Sequence, residues 1–121
     1  MKEAVRAGYK VLNQTGNVLD AVEAAIHMME DNEAFNAGRG SKLNIFGHVE
    51  MDASIMDGAS NNVGAVASVS GVRHPVTLAR HVMENTSHVL VVSKGAERSG
   101  VNLQSPPNYH LYNTGYPQNG G

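Results

Sequence analysis

The chain has 121 residues, of which 41% are hydrophobic and 17% charged, and its formal net charge is −2. This composition is typical of one small globular domain and excludes an intrinsically disordered chain. There is no Lys/Arg cluster and no apolar stretch near the ~20 residues of a membrane-spanning helix, so we expect neither a nucleic-acid nor a membrane partner. The lack of cysteine excludes a disulfide framework and a thiol nucleophile. Because residues 1–6 carry charges rather than an apolar run, we expect a soluble, cytoplasmic protein without a secretory signal.

Two helices are predicted at the start of the chain. Apolar residues at i, i+4 and i+7 predict a first helix that begins almost at Met1: Val5, Tyr9 and Leu12. Gly16 is suited to end this helix, and Asn17 is suited to cap the next one. The second helix is expected over residues 18–31, with an apolar stripe that consists of Val18, Val22, Ala25, Ile26 and Met29.

A glycine-rich loop, "FNAGRGS" at residues 35–41, follows the second helix. Glycine tolerates positive φ and lets other groups approach the backbone closely. Such a loop is able to wrap a ligand, to hold an ion on its carbonyl oxygens, or simply to turn a corner. The residues of the loop alone leave these three alternatives open.

Strands are predicted in the middle of the chain. Residues 49–56 alternate between apolar and polar side chains, which predicts a strand with one buried face. Residues 43–45 are expected to pair with it through a turn at 46–48, and residues 57–62 are expected to form a second turn. Residues 63–72, "VGAVASVSGV", are small and apolar on both faces, which predicts a strand that is covered on both sides.

The remaining elements complete a mixed fold. A third helix is predicted to begin at Pro75, because proline suits the first turn of a helix. Residues 89–92 are expected to form a short buried strand, and residues 94–99 to start another helix. Residues 101–121 lack periodicity and are expected to form a loose tail after a domain at residues 1–100. The order α-α-β-β-β-α-β predicts layered helices and sheet, an α/β (α+β) fold.

The polar residues do not form a recognisable catalytic motif. His74, His81 and His88 are spaced by seven, but no HExxH pattern accompanies them, so we interpret them as solvated histidines at helix ends. Glu23 and His27 form an i,i+4 pair that we interpret as solvent-facing support for the second helix. The serines lack a GxSxG elbow, and the phosphate-loop patterns GxGxxG and GxxxxGK are absent.

A set of motifs nevertheless resembles one protein family. "DAVEAA", "FNAGRGS", "EMDASIMDG", "VGAVA" and "HPVTLARHVMENTSHV" occur in this order. Together they resemble the α-subunit of the plant-type asparaginases, also called isoaspartyl peptidases, which are Ntn-hydrolases. The resemblance runs from about Val5 to Gly100. It implies part of a four-layer αββα sandwich that two types of subunit build together.

The resemblance also implies a reaction. In this family the precursor cuts itself before a threonine, whose hydroxyl then attacks the amide of L-asparagine or of a β-aspartyl peptide. The freed α-amine of the same threonine serves as the general base. The expected partners are therefore a β-type subunit in an (αβ)2 assembly and a small amino-acid or dipeptide substrate. No cofactor is expected beyond one structural ion.

The glycine-rich loop has a role in the resembling proteins, where main-chain carbonyls hold a sodium ion. Carried over by motif, the expected ligands are the carbonyl oxygens of Met29, Glu30, Asn32, Phe35, Ala37 and Arg39. A hard cation prefers such oxygen ligands, and Gly38 and Gly40 let the backbone curl around it. The resemblance also places the side chain of Asn36 at the edge of the active site, as a supporting residue.

This sequence departs from the family pattern in two ways. It lacks the first strand with its HGGAG-like run, and it lacks the β-subunit with the nucleophilic threonine and the substrate-gripping Arg and Asp. None of its four threonines follows a glycine, as the cleavage site requires: Thr15, Thr77, Thr86 and Thr114. We therefore expect a truncated or partial product with neither catalytic nor substrate-binding residues of its own, inactive alone. The alternative is a non-catalytic paralogue that acts as a binding partner of the full enzyme.

Overall fold

The computed structural model describes residues 1–101 of the chain, with side chains described for residues 1–98. Within this range a helical hairpin is followed by a short 3-10 turn at Gly38–Gly40 and then by strands that alternate with helices. In chain order the elements are α1 (Lys2–Thr15), α2 (Val18–Glu30), β1 (Met51–Met56), β2 (Val63–Val69), α3 (Pro75–Asn85), β3 (Leu90–Val92) and α4 (Ser93–Val101).

The predicted boundary between α1 and α2 is confirmed. Gly16 has φ +68° and its N–H donates to the Leu12 carbonyl at 2.8 Å, while Asn17 Oδ1 accepts from the Asp20 N–H at 3.1 Å. The predicted apolar stripe of α1, however, is not its contact face, since Tyr9 is 69% exposed. Instead α1 meets α2 at Gly8, where an added Cβ would lie 2.8 Å from the Ala21 carbonyl oxygen. Small residues form the contact between α1 and α2 because they let the two helix backbones approach each other closely.

One sheet of three strands, in the order β1-β2-β3, is formed within residues 1–101. β1 pairs with β2 antiparallel, and β2 pairs with β3 parallel. The predicted alternation in β1 is confirmed, because Met51 and Ile55 are buried while the residues between them are exposed or partly exposed. The predicted pairing of residues 43–45 is reduced to a single bridge between Leu43 and Val49. Two backbone N–H groups of the turn, at residues 46 and 48, donate to Asn44 Oδ1, which bends the chain there.

The core lies between the sheet and α3. Its most buried side chains come from β1, β2, α3 and α4: Met51, Ile55, Val66, Val69, Val76, Leu78, Ala79, Val82 and Ala96. β2 has no exposed residue, as predicted, and α3 crosses it directly over Gly64. The prediction of a buried strand at 89–92 is wrong, because Leu90 is 54% and Val92 53% exposed. In the described part of the chain β3 is an edge strand of the sheet, and Val91 packs against the core while Leu90 and Val92 face away from it.

The structure therefore confirms a mixed helix-and-sheet fold of the α+β kind. The partial αββα Ntn-hydrolase sandwich and the domain boundary at residue 100 stay predictions. The loose tail predicted for residues 101–121 lies outside the described residues, apart from Val101 at the end of α4. Among the helices of the described part, none has the length and hydrophobicity needed to cross a bilayer.

Candidate functional site

The glycine-rich loop curls tightly after α2. Gly38 has φ +52°, and an added Cβ there would collide with the carbonyl oxygen and the Cβ of Glu30. At Gly40 an added Cβ would collide with the Phe35 carbonyl oxygen and lie 2.8 Å from that of Glu33. The loop thus folds its own carbonyl oxygens against two positions where no side chain fits, and glycine at Gly38 also relieves the positive φ.

Three of the predicted carbonyl ligands also hold the loop together. The Met29 oxygen accepts from the Asn32 N–H at 3.2 Å, the Asn32 oxygen from the Phe35 N–H at 3.1 Å, and the Ala37 oxygen from the Gly40 N–H at 3.1 Å. A carbonyl oxygen has two lone pairs, so the oxygens of Asn32 and Ala37 keep acceptor capacity, whereas that of Met29 also accepts from the Asp31 N–H. A loop rich in such oxygens has donor chemistry that fits a hard cation.

Side chains of the loop lie on its outer surface. The Arg39 guanidinium contacts the Glu33 carboxylate at 2.9 Å, and both side chains are largely exposed. Asn36 Oδ1 accepts from the Lys42 N–H at 2.9 Å, which ties the loop to the segment that follows it. The structure thus shows Asn36 ordering the backbone after the loop, and its place at an active-site edge stays a prediction.

A polar network joins α2 to α3 beside the loop. The Thr77 hydroxyl donates to Glu23 Oε1 at 2.5 Å, Arg80 Nη1 donates to Glu23 Oε2 at 2.7 Å, and His27 Nε2 lies 2.7 Å from Thr77 Oγ1. Burial alone would raise the pKa of Glu23, but hydrogen bonds from His27, Thr77 and Arg80 together outweigh it and lower that pKa to about 2. The interpretation of Glu23 and His27 as a solvent-facing pair is therefore wrong, because α3 covers this face of α2.

Further along the same two helices, a buried carboxylate meets two imidazoles. Glu30 is only 3% exposed, and its Oε1 accepts from the Val76 N–H at 3.0 Å. Burial raises the pKa of Glu30 to about 7, against the lowering effect of the Val76 N–H. The ring of His74 stacks on that of His27, with centroids 3.9 Å apart.

His74 is held from outside by Asp31. Its Nε2 lies 3.1 Å from Asp31 Oδ1, which also accepts from Arg73 Nε at 2.9 Å. The side chain of His74 is 12% exposed, so the interpretation of this residue as a solvated histidine is wrong. Burial lowers the pKa of His74, and the neighbouring His27 adds to this, while Asp31 opposes it.

Sequence reasoning missed this cluster for a physical reason. His74 lies more than 40 residues from the other two members, and the spacing of seven pairs it with His81 rather than with its true neighbour, His27. One local signal was present, since the i,i+3 spacing of His27 and Glu30 puts both on one face of α2. Only the packing of α3 on α2 decides that this face is covered.

Comparison with known proteins identifies the family of the chain. The family model described as asparaginase matches residues 1–113. The chain belongs to the asparaginase family. The resemblance found in the sequence is therefore confirmed.

Two groups of relatives of the asparaginase family are similar to this chain. The plant-type L-asparaginase of Pyrococcus abyssi is 56% identical over 96 residues, which are 79% of this chain and 31% of that protein. The isoaspartyl peptidase/L-asparaginase of Danio rerio is 48% identical over 106 residues, 88% of this chain and 34% of that protein. The corresponding protein of Rattus norvegicus is 46% identical over 104 residues, 86% of this chain and 31% of that protein. The chain thus spans about a third of the length of these relatives.

Proposed function

We propose that this chain supplies the α-type part of a threonine-nucleophile amidohydrolase. The substrates are L-asparagine, which is cleaved to aspartate and ammonia, and β-aspartyl peptides. The observation that carries the proposal is 56% identity over 96 residues to a protein named plant-type L-asparaginase. The matched segment is about a third of the length of each relative. We therefore assign the activity to the chain together with a β-type part.

The chemistry is assigned to that β-type part. Its N-terminal threonine hydroxyl attacks the side-chain amide carbonyl, and the α-amine of the same residue accepts the hydroxyl proton. Ammonia or the amino-acid leaving group departs after taking up a proton, and water then hydrolyses the acyl-enzyme to release aspartate. The threonines of the present chain do not follow glycine and are not assigned this role.

The contribution of this chain is a rigid loop beside the β-type part. We assign the loop a structural sodium ion, held by the carbonyl oxygens of Met29, Glu30, Asn32, Phe35, Ala37 and Arg39. Support comes from the crowding of carbonyl oxygens on Gly38 and Gly40 and from the acceptor capacity that remains on two of the bonded carbonyls. The ion would supply positive charge among these carbonyl dipoles, while Asn36 fixes the following backbone.

The proposal is tested with a chimera in which this chain replaces the matched segment of the Pyrococcus abyssi relative. Aspartate release is measured from L-asparagine and from a β-aspartyl dipeptide. We expect activity from the chimera, none from a chimera with its nucleophilic threonine changed to alanine, and none from the 121-residue chain alone. A folded chimera without activity, or aspartate release by the chain alone, would show the assignment to be wrong.

The sodium assignment has its own test in the same chimera. Unfolding midpoints are compared with and without sodium, since an ion that binds only the folded state raises the midpoint by mass action. Gly38→Val should abolish the sodium response, because its side chain fills the space beside the Glu30 carbonyl. Arg39→Ala should preserve it, because the backbone oxygen survives and the lost ion pair with Glu33 is exposed. An equal response in Gly38→Val and the parent would mean that the loop is only a turn.

A further inference from the structure

Three side chains meet where the end of α2 faces the start of α3. His27 and Glu30 come from α2, and His74 directly precedes α3. One ligand atom from each of the three lies within 4.8 Å of the other two. This cluster is separate in its chemistry from the glycine-rich loop, because it offers imidazole nitrogens and a carboxylate instead of backbone carbonyls.

An unpartnered oxygen points to a ligand at this place. Glu30 is buried, and its Oε2 has no hydrogen-bond partner among the described residues, although Oε1 accepts from the Val76 N–H. Leaving a buried carboxylate oxygen unpaired is unfavourable, because the group loses water without gaining a partner. The two other carboxylates near it, Glu23 and Asp31, are already paired with Arg80 and Arg73. A cation beside Oε2 would remove the mismatch.

The donor set selects the kind of cation. Two imidazoles and one carboxylate are ligands of zinc and of neighbouring transition metals, whereas sodium, calcium and magnesium prefer oxygen alone. We propose that His27, Glu30 and His74 form a binding site for a divalent transition-metal ion of the zinc class. The ion clamps the last turn of α2 to the residue that directly precedes α3. The proposal does not rest on asparaginase activity.

The surroundings suit such a site. Nε2 of each imidazole already has an oxygen neighbour, Thr77 Oγ1 for His27 and Asp31 Oδ1 for His74. Contacts of this kind orient histidine ligands at metal centres. An imidazole that keeps its Nε2 contact binds the ion through Nδ1. Two ligands of a tetrahedral zinc ion lie roughly 3.4 Å apart, given bond lengths near 2.1 Å. The ligand atoms, which lie within 4.8 Å of one another, therefore have to approach by up to about 1.4 Å, and the stacked rings have to turn so that their nitrogens converge. Both imidazoles are only partly buried, which leaves room for this rotation.

The test is a metal titration of the full 121-residue chain, with any affinity tag removed, and of the chimera described above. Co2+ is the probe, because its visible absorption reports nitrogen and oxygen coordination, and Zn2+ is then used to displace it. We expect one ion per chain, a higher unfolding midpoint with Zn2+, and no competition from a large excess of sodium.

Variants separate a built site from surface histidines. His27→Gln and Glu30→Gln should each weaken binding by at least about tenfold. Glu30→Gln retains an acceptor for the Val76 N–H, so a loss of binding there is not a loss of fold. The matched control is His81→Ala, a histidine of α3 whose Nδ1 instead bonds Asn85, and binding should be unchanged in this variant.

The chimera decides the outcome, because its folding does not depend on this chain alone. Binding that is lost in Glu30→Gln and retained in His81→Ala supports the site. Absence of binding to the parent chimera overturns it. Binding that is equal in the parent and in Glu30→Gln also overturns it, since it would come from adventitious histidines only.

Discussion

Gly64 in β2 provides the sharpest test of how the layers pack. An added Cβ would lie 2.6 Å from both the backbone nitrogen and the Cβ of Met83 on α3, and closer still to the Ala79 carbonyl oxygen. Ordinary contacts of this kind are 3.4–4 Å, so in Gly64→Ala the helix has to move away by about 1 Å. The obstacles are mostly backbone atoms of a helix, which cannot swing aside as the end of a flexible side chain does.

Two effects of opposite sign decide the magnitude. Alanine instead of glycine within a strand is favourable by about 0.5–1 kcal/mol, because the unfolded chain loses conformational freedom. Overpacking a core costs about 1–3 kcal/mol. We therefore expect Gly64→Ala to lower the free energy of unfolding by about 1–2 kcal/mol. The assay is guanidinium unfolding of the chimera, with the slope of the transition checked against the parent.

The matched control is Gly58→Ala in the turn after β1. A Cβ at this position meets no atom of the described residues within 4 Å, so stability should stay within about 0.5 kcal/mol of the parent. If Gly64→Ala instead proved neutral or stabilising with an unchanged slope, α3 would not lie against β2 as closely as described, and the reasoning would fail.

Three further predictions concern Asn36, Glu23 and the exposed apolar residues of the chain. Asn36→Ala should lower the free energy of unfolding of the chimera by about 1 kcal/mol, because the Lys42 N–H loses its acceptor. Asn36→Asp keeps that acceptor and should have a smaller effect. Equal effects of the two variants would contradict the role of Asn36 in ordering the backbone. The pKa of Glu23 is about 2 when folded and 4.5 ordinarily, so its stabilising effect is present above pH 4.5 and is lost as pH falls toward 2. Glu23→Gln should therefore reduce the loss of stability between pH 5 and pH 2 by up to about 3 kcal/mol, as measured by denaturant midpoints in buffers across that range. The chain alone should bind an apolar-surface dye strongly, because Ile45 is 92% and Phe46 77% exposed; a cooperative melt with dispersed amide signals would refute this.

Much of the local structure could be predicted from sequence because its causes are local. The end of α1 depends on a glycine that adopts positive φ, and the start of α2 on a side chain that bonds three residues ahead. Pro75 begins α3 as predicted, and the alternation in β1 reports its buried face. Family membership was also predictable, because five motifs of the sequence together resemble one family, and the model of that family matches residues 1–113.

The candidate site was predicted only in its loop. The two glycines of "FNAGRGS" predict a tightly curled backbone, and the structure shows carbonyl oxygens packed against both of them. The cluster of His27, Glu30 and His74 was not predicted, because each residue by itself resembles an ordinary polar residue of a helix. Its meaning depends on partners 44–47 positions away, which no local spacing reports.

The sequence by itself determined where each helix and strand of residues 1–101 begins, within a few residues, and to which family the chain belongs. Capping, proline placement and period-two alternation act over a few residues, so they can be recognised from the sequence alone. Tertiary structure alone decided which faces are covered. The apolar stripe of α1 is exposed while the polar face of α2 is buried, because small residues let α1 and α2 close on each other and α3 covers Glu23 and Glu30. Whether a helix face is buried depends on the element that packs against it. For α2 that element is α3, which lies about 50 residues further along the chain.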